Sequence, residues 1–261
     1  MNLERTWFGC GLAAAILVAA ASAAGVFTHL VYARETASWT AQGVGQDWAN
    51  LLLVVPGIFV TTWMTRRGSE AAVAAWRGLI IYVLYSYVLY AFFLHFNRLF
   101  LVYIAILGLS FYALVGSFTT GQRATPREHD TAFASGLLIT CSVLFAVLWL
   151  AEIVPATVSG IPPKNLDEVG LFVNPVHVLD LAFVLPGMMI TGILLRKHRP
   201  LGFLFAAPLL VFSAVMGTAI EFMFFFMYQR GLPIAVVPVV IMAVVTAATA
   251  FAACRSLRTS I

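Results

Sequence analysis

The chain alternates long apolar runs with short polar connections. The runs lie at about 9–32, 48–64, 76–96, 99–118, 132–155, 176–195, 201–228 and 232–254. A helix of roughly 20 such residues crosses the hydrocarbon core of a bilayer. Backbone groups facing lipid must be paired within their own segment, so runs of this length predict helices. The ten-residue alternation of a membrane barrel is absent. The expected fold is all-α, a polytopic integral membrane bundle of about eight transmembrane helices. Only His95, Phe96, Asn97 and Arg98 separate the third and fourth runs, which predicts a tight helical hairpin.

Composition agrees with lipid as the solvent. The 261 residues are 62% hydrophobic and 10% charged, with a mean hydropathy of +0.96. Soluble domains carry about 25% charged residues. Eight spans of roughly 20 residues leave connections but no sizeable soluble domain, so residues 1–261 read as a single membrane domain.

The net charge of +4 does not point to nucleic acid, because the basic residues sit between the apolar runs. The N-terminus, the even-numbered connections and the C-terminus hold eleven of them: Arg5, Arg66, Arg67, Arg77, Arg123, Arg127, Arg196, Lys197, Arg199, Arg255 and Arg258. The other connections hold four: Arg34, Arg98, Lys164 and Arg230. By the positive-inside rule this predicts both termini cytoplasmic in a bacterial-type inner (plasma) membrane. The first run, with Arg5 ahead of it and Ala21-Ser22-Ala23 within it, resembles a secretory signal. Its apolar stretch continues to the neighbourhood of Tyr32, which predicts a retained span.

The two halves compare at an offset of 130 residues. LLLVVPGIFVTTWMTRR at 51–67 matches LAFVLPGMMITGILLRK at 181–197 at six positions, including Pro56/Pro186, Gly57/Gly187 and Arg66/Arg196. Four crossings separate the two segments, so the expected halves, 1–130 and 131–261, form a parallel four-plus-four pseudo-repeat. The shared Pro-Gly predicts a kink in spans two and six.

Candidate chemistry gathers toward one membrane face. His29, Asp47, Asn50, His95, Glu152, His177, Asp180, Glu221 and Arg230 fall at the outer ends of their spans or in the outer half. Polar groups at such depth are costly unless they pair or reach water, which predicts an outer-half polar cavity. Asp180 sits about four residues, roughly 6 Å, inside span six, and Glu221 about seven residues, roughly 10 Å, inside span seven. His177 and Asp180 share a helical face at i,i+3, so the carboxylate is expected to orient the imidazole. Asp47 and Asn50 occupy the corresponding positions of the first half. Span three carries Tyr82, Tyr85, Ser86, Tyr87 and Tyr90, expected to show two faces, Tyr82 with Tyr85 and Tyr87 with Tyr90. The polar loop from Pro155 through Pro162-Pro163 to Glu168 is placed to cover the outer vestibule. Cys10, Cys141 and Cys254 lack metal-ligand spacing and read as packed thiols.

No motif names a reaction. HExxH, a phosphate loop, a dinucleotide fingerprint and a nucleophile elbow are all missing. Three classes stay open. A small-solute or ion transporter would use Asp180 and Glu221 for cation coupling, tuned by His177, with Glu152, Asn50 and Asp47 lining the cavity. A membrane-embedded enzyme would hold a transition metal or haem through His29, His95 and His177. A structural or assembly subunit would present its outer polar surface to another membrane-protein subunit.

Overall fold

A computed structural model describes residues 3–119 and 131–258. Helices α1 (Leu3–Phe27), α2 (Ala37–Thr65), α3 (Glu70–Phe93) and α4 (Phe100–Thr119) form the first half. The second half comprises α5 (Thr131–Ser159), the short α6 (Asn165–Val169), α7 (Pro175–Arg196), α8 (Pro200–Gln229) and α9 (Val236–Arg258). All but α6 are long and apolar enough to span a membrane, and no strand occurs among the described residues. The chain is a polytopic membrane-embedded helical bundle.

Polar side chains fix several helix starts. Thr36 caps α2 by accepting from the Trp39 amide, Ser69 caps α3 by accepting from Ala72, and Asn174 caps α7 by accepting from Val176. Each satisfies one of the amides that a helix leaves orphaned at its first turn. The turns after α2 and α7 are equally tight, with Gly68 and His198 at positive φ. They stand 130 positions apart.

The central helix is α3, the most buried of the spans, whereas α5 and α9 are the least buried. In the first half α4 packs on α1 and α3, and α2 packs on α1 and α3. In the second, α7 lies between α5 and α8, and α9 lies on α8. The halves join where α8 packs against α2 and α3. Two apolar clusters result: one over α1–α4 that takes in Phe212, Val215 and Ala219 of α8, the other among α5, α7, α8 and α9. Gly45 and Gly78 make close crossings of the halves. A Cβ at Gly45 would lie 2.6 Å from Met223 Cα and one at Gly78 2.6 Å from the Pro208 carbonyl oxygen, so α8 meets α2 and α3 backbone to backbone. Between α5 and α7, Ser135 donates to the Gly192 carbonyl at 2.9 Å and Ser142 to the Leu185 carbonyl at 2.7 Å.

Several boundaries differ from expectation. α1 ends at Phe27, not near Tyr32, and α2 begins at Ala37, well before its apolar run. Ser38, Thr40, Gln42 and Gln46 break the hydropathy of that first stretch, which packs instead on α1 and α8. α3 begins at Glu70, so Arg77 is not part of a connection. It is 4% exposed inside the bundle, donating from Nε to Ser117 Oγ at 3.2 Å and from its terminal nitrogen to the Ser117 carbonyl. The Phe118 ring lies 4.3 Å from its guanidinium. Arg123, Arg127 and the side chain of Arg5 lie outside the described residues.

Candidate functional site

The Pro-Gly segments do more than kink their helices. α2 contains a π-helical turn at Asn50–Val54 and α7 one at Asp180–Val184, each ending immediately before the residue that precedes Pro56 or Pro186. In these turns the amides of Val55 and Leu185 reach back to the carbonyls of Asn50 and Asp180. Proline lacks the amide that would pair with the carbonyl four residues earlier, and its ring crowds that carbonyl. A wider turn relieves both conflicts. It also aims the residues just before it, and those residues are the polar ones.

The first carboxyl group is Asp47, 1% exposed. Tyr32, from the connection after α1, donates its hydroxyl to Oδ2, and Tyr90 of α3 donates to Oδ1 at 3.0 Å. The two phenolic oxygens are 3.2 Å apart. Burial, and next the neighbouring Asp47 carboxylate, push the Tyr32 phenol well above its ordinary range, which keeps it a donor. Room for the carboxyl comes from Gly25 of α1, where any Cβ would overlap Oδ2. One turn along, Asn50 donates from Nδ2 to Ser22 Oγ at 3.0 Å. The rings of Tyr87, Tyr90 and Tyr103 pack together, with centroids 5.1 Å and 5.4 Å from Tyr90.

A small cleft opens beside this group. Tyr32, Trp39, Gln42, Gln46, Tyr90 and Met223 are among its walls, and its volume of about 60 Å³ has room for a few waters. Tyr32 and Tyr90 therefore separate the cleft from Asp47 while bonding to it.

The second carboxyl group, Asp180, is half-buried. Tyr85 of α3 donates to Oδ1 at 3.0 Å and Trp149 Nε1 of α5 to Oδ2 at 2.9 Å. His177 is not oriented by Asp180. It stacks on Trp149 at 4.7 Å between centroids and pairs through Nε2 with Asn174 Nδ2 at 3.3 Å. The two residues share Trp149 in place of a direct bond. Tyr85 faces Asp180 and Phe212 of the second half, whereas Tyr87 and Tyr90 face the first.

The other expected residues are more dispersed. Glu152 accepts from Asn165 at 2.7 Å, which ties α6 to α5, and α6 in turn packs on α2. His95 donates its amide to Glu35 at 2.8 Å and pairs with the same carboxylate through Nδ1 at 3.1 Å. His29 is exposed in the connection after α1. Glu221 is half-buried on α8, with no hydrogen bond or ion pair to Asp180, Arg98 or Arg230 among the described residues. No three His, Cys, Asp or Glu side chains are grouped as metal ligands among the described residues. The three cysteines are free thiols, and Cys141 is buried.

Sequence reasoning missed Tyr32, Trp149, Ser22, Gly25 and Glu35. Tyr32, Gly25 and Trp149 fall within the apolar runs 9–32 and 132–155, where nothing in the hydropathy pattern sets them apart. No family model, curated protein or solved structure matches the chain.

Proposed function

We propose that this protein moves a small solute or ion across a bacterial-type inner membrane, with both termini cytoplasmic and its polar cavity open to the outer side. One observation carries the reading. Two carboxyl groups mark the π-helical turns, Asp180 as the first residue of the turn in α7 and Asp47 three residues before the turn in α2, and each is held by two aromatic donors from other segments. A buried carboxyl in a membrane is costly, and ion and proton pathways are where such groups are used. Broken helices that present polar groups near the bilayer midplane are a recurrent transporter device. The matching register of the π turns, of Gly68 with His198, and of the starts of α3 and α8 at residues 70 and 200 supports a four-plus-four parallel repeat.

In this reading the tyrosine and tryptophan bonds latch the outer halves of α2 and α7 to α3 and α5. A cation or proton arriving at a carboxyl weakens its latch, and the outer half moves about its π turn. His177 and Glu152 border the Asp180 side, and Glu221 is the half-buried carboxyl on α8 free to meet the cargo. The test is uptake by vesicles reconstituted with the full chain, using radiolabelled sodium, rubidium and a panel of amino acids and organic cations under pH or sodium gradients. Asp47→Asn and Asp180→Asn should each abolish the gradient-driven uptake. Undiminished uptake in both variants would remove the assignment.

A further inference from the structure

The buried polar atoms without a partner are unevenly spread. Trp7, Trp39 and Trp76 Nε1, Asn50 Oδ1, Thr62 Oγ1, the hydroxyls of Tyr82, Tyr87 and Tyr103, and Ser86 Oγ have no hydrogen-bond partner among the described residues. Every one lies in the first half, and the second half contributes Thr246 alone. An orphaned buried polar group is costly, and buried water is what commonly satisfies such groups. Asn50, Tyr82, Ser86, Tyr87 and Tyr103 are each at most 1% exposed.

Five of these residues lie around Asp47: Asn50 one turn along α2, Tyr82 and Ser86 on α3, and Tyr87 and Tyr103, whose rings pack on that of Tyr90, the donor to Oδ1. Tyr82 also approaches Ser86, and Tyr87 approaches Ser22, without hydrogen-bond geometry. Buried polar groups that approach one another without forming a direct bond are completed by bridging water. The titratable groups facing Asp47 are all phenols: Tyr32 from the connection, Tyr82, Tyr87 and Tyr90 from α3, and Tyr103 from α4. No Lys, Arg or His side chain balances the carboxyl among the described residues.

From this placement we infer that the interior of α1–α4 is a hydrated proton path, in which waters held by Asn50, Tyr82, Ser86 and Tyr87 exchange protons with Asp47. Hydroxyls suit the task because each both donates and accepts. At Asp47 an O–H bond forms as the O–H bond of a hydronium breaks and leaves water; no electrons are exchanged. The path reaches Asp47 from inside the bundle, on the side away from the cleft, which Tyr32 and Tyr90 close. Farther along α2 and α3, Thr62 Oγ1 and Trp76 Nε1 extend the orphaned groups toward the opposite face. The inference rests on the transport reading for its use, and makes the proton the coupling ion.

The test is infrared difference spectroscopy on the full chain in lipid. A pH step should produce a carboxyl band that Asp47→Asn removes, and transfer to heavy water should shift that band promptly. The double variant Tyr82→Phe/Ser86→Ala should slow the shift at least tenfold at an unchanged melting temperature, while Ser213→Ala, whose hydroxyl bonds its own helix, leaves it unaltered. If the double variant does not fold, Tyr87→Phe carries the same expectation. A band that answers to sodium in place of pH, or a shift equally fast without these hydroxyls, overturns the path. Loss of all solute uptake with proton exchange intact would sink the transport reading and leave the path standing.

Discussion

Tyr85 and Tyr90 share α3 but hold different carboxyl groups: Tyr85 donates to Asp180 of the second half, and Tyr90 to Asp47 of the first, both at 3.0 Å. Five residues apart, they lie about 500° apart around the helix, or 140° after one full turn, and so face opposite halves. The central helix thereby connects both candidate sites. Tyr90→Phe leaves the buried Asp47 with one donor and should cost about 1–3 kcal/mol. Tyr85→Phe should cost less, about 1 kcal/mol, because Asp180 is half-buried and keeps Trp149. Melting in detergent orders the two variants; equal losses would mean that burial does not set the strength of the latch.

Gly25→Ala tests the packing behind Asp47 without removing a polar atom. The added methyl overlaps the carboxyl, so either α1 shifts from α2 or Asp47 leaves Tyr32 and Tyr90. Overpacking of this kind costs about 1–3 kcal/mol. Uptake should fall as far as in Asp47→Asn. A Gly25→Ala protein with normal melting and uptake would show that the Asp47 geometry tolerates displacement.

The eight helices were legible because apolar length is a direct statement about bilayer thickness. The start of α2 was not, since Ser38, Gln42 and Gln46 are paid for by tertiary packing that hydropathy ignores. The Pro-Gly register at 56 and 186 was visible and read as a kink; the π turn is a hydrogen-bond choice that no residue type announces. Asp47, Asn50, His177 and Asp180 stand out as polar groups within or at the ends of apolar runs, but their partners do not. Tyr32 and Tyr90 are 58 residues apart, and Trp149 is 31 from Asp180. The i,i+3 spacing put His177 and Asp180 on one face correctly, yet stronger donors from α3 and α5 claimed the carboxylate. Arg77 was misplaced for a related reason, because a cation inside a span finds carbonyl and aromatic partners that sequence spacing cannot display.

Tyr32 gives the stability a predictable pH dependence. Its folded pKa is raised, chiefly by burial, above the unfolded value of about 10. A group raised in this way contributes stability that is fully present below about pH 10 and is lost as pH rises toward its folded value. Tyr32→Phe lacks this term. Above about pH 10 the wild-type protein should lose melting temperature relative to Tyr32→Phe as pH rises. A difference that stays flat above about pH 10 would show that the Tyr32 hydroxyl is not held as a buried donor.

The π turns make the sharpest geometric prediction. Leu52 lies in the first turn and is 59% exposed, so its deletion removes no core side chain. A π turn holds its extra residue within one wider turn, so deletion returns α2 to i→i−4 pairing while the segments before and after it keep nearly the same orientation. Asp47 still meets Tyr32 and Tyr90, but the ring of Pro56 again crowds the carbonyl four residues earlier, and the wide turn about which the outer half moves is gone. Deleting Ala182 should do the same in α7. Both variants should insert and lose uptake, while the infrared signal of Asp47 persists in the first. An inserted Leu52 deletion that transports at the full rate would mean that the outer half does not move about the π turn, and the latch mechanism would fall with it.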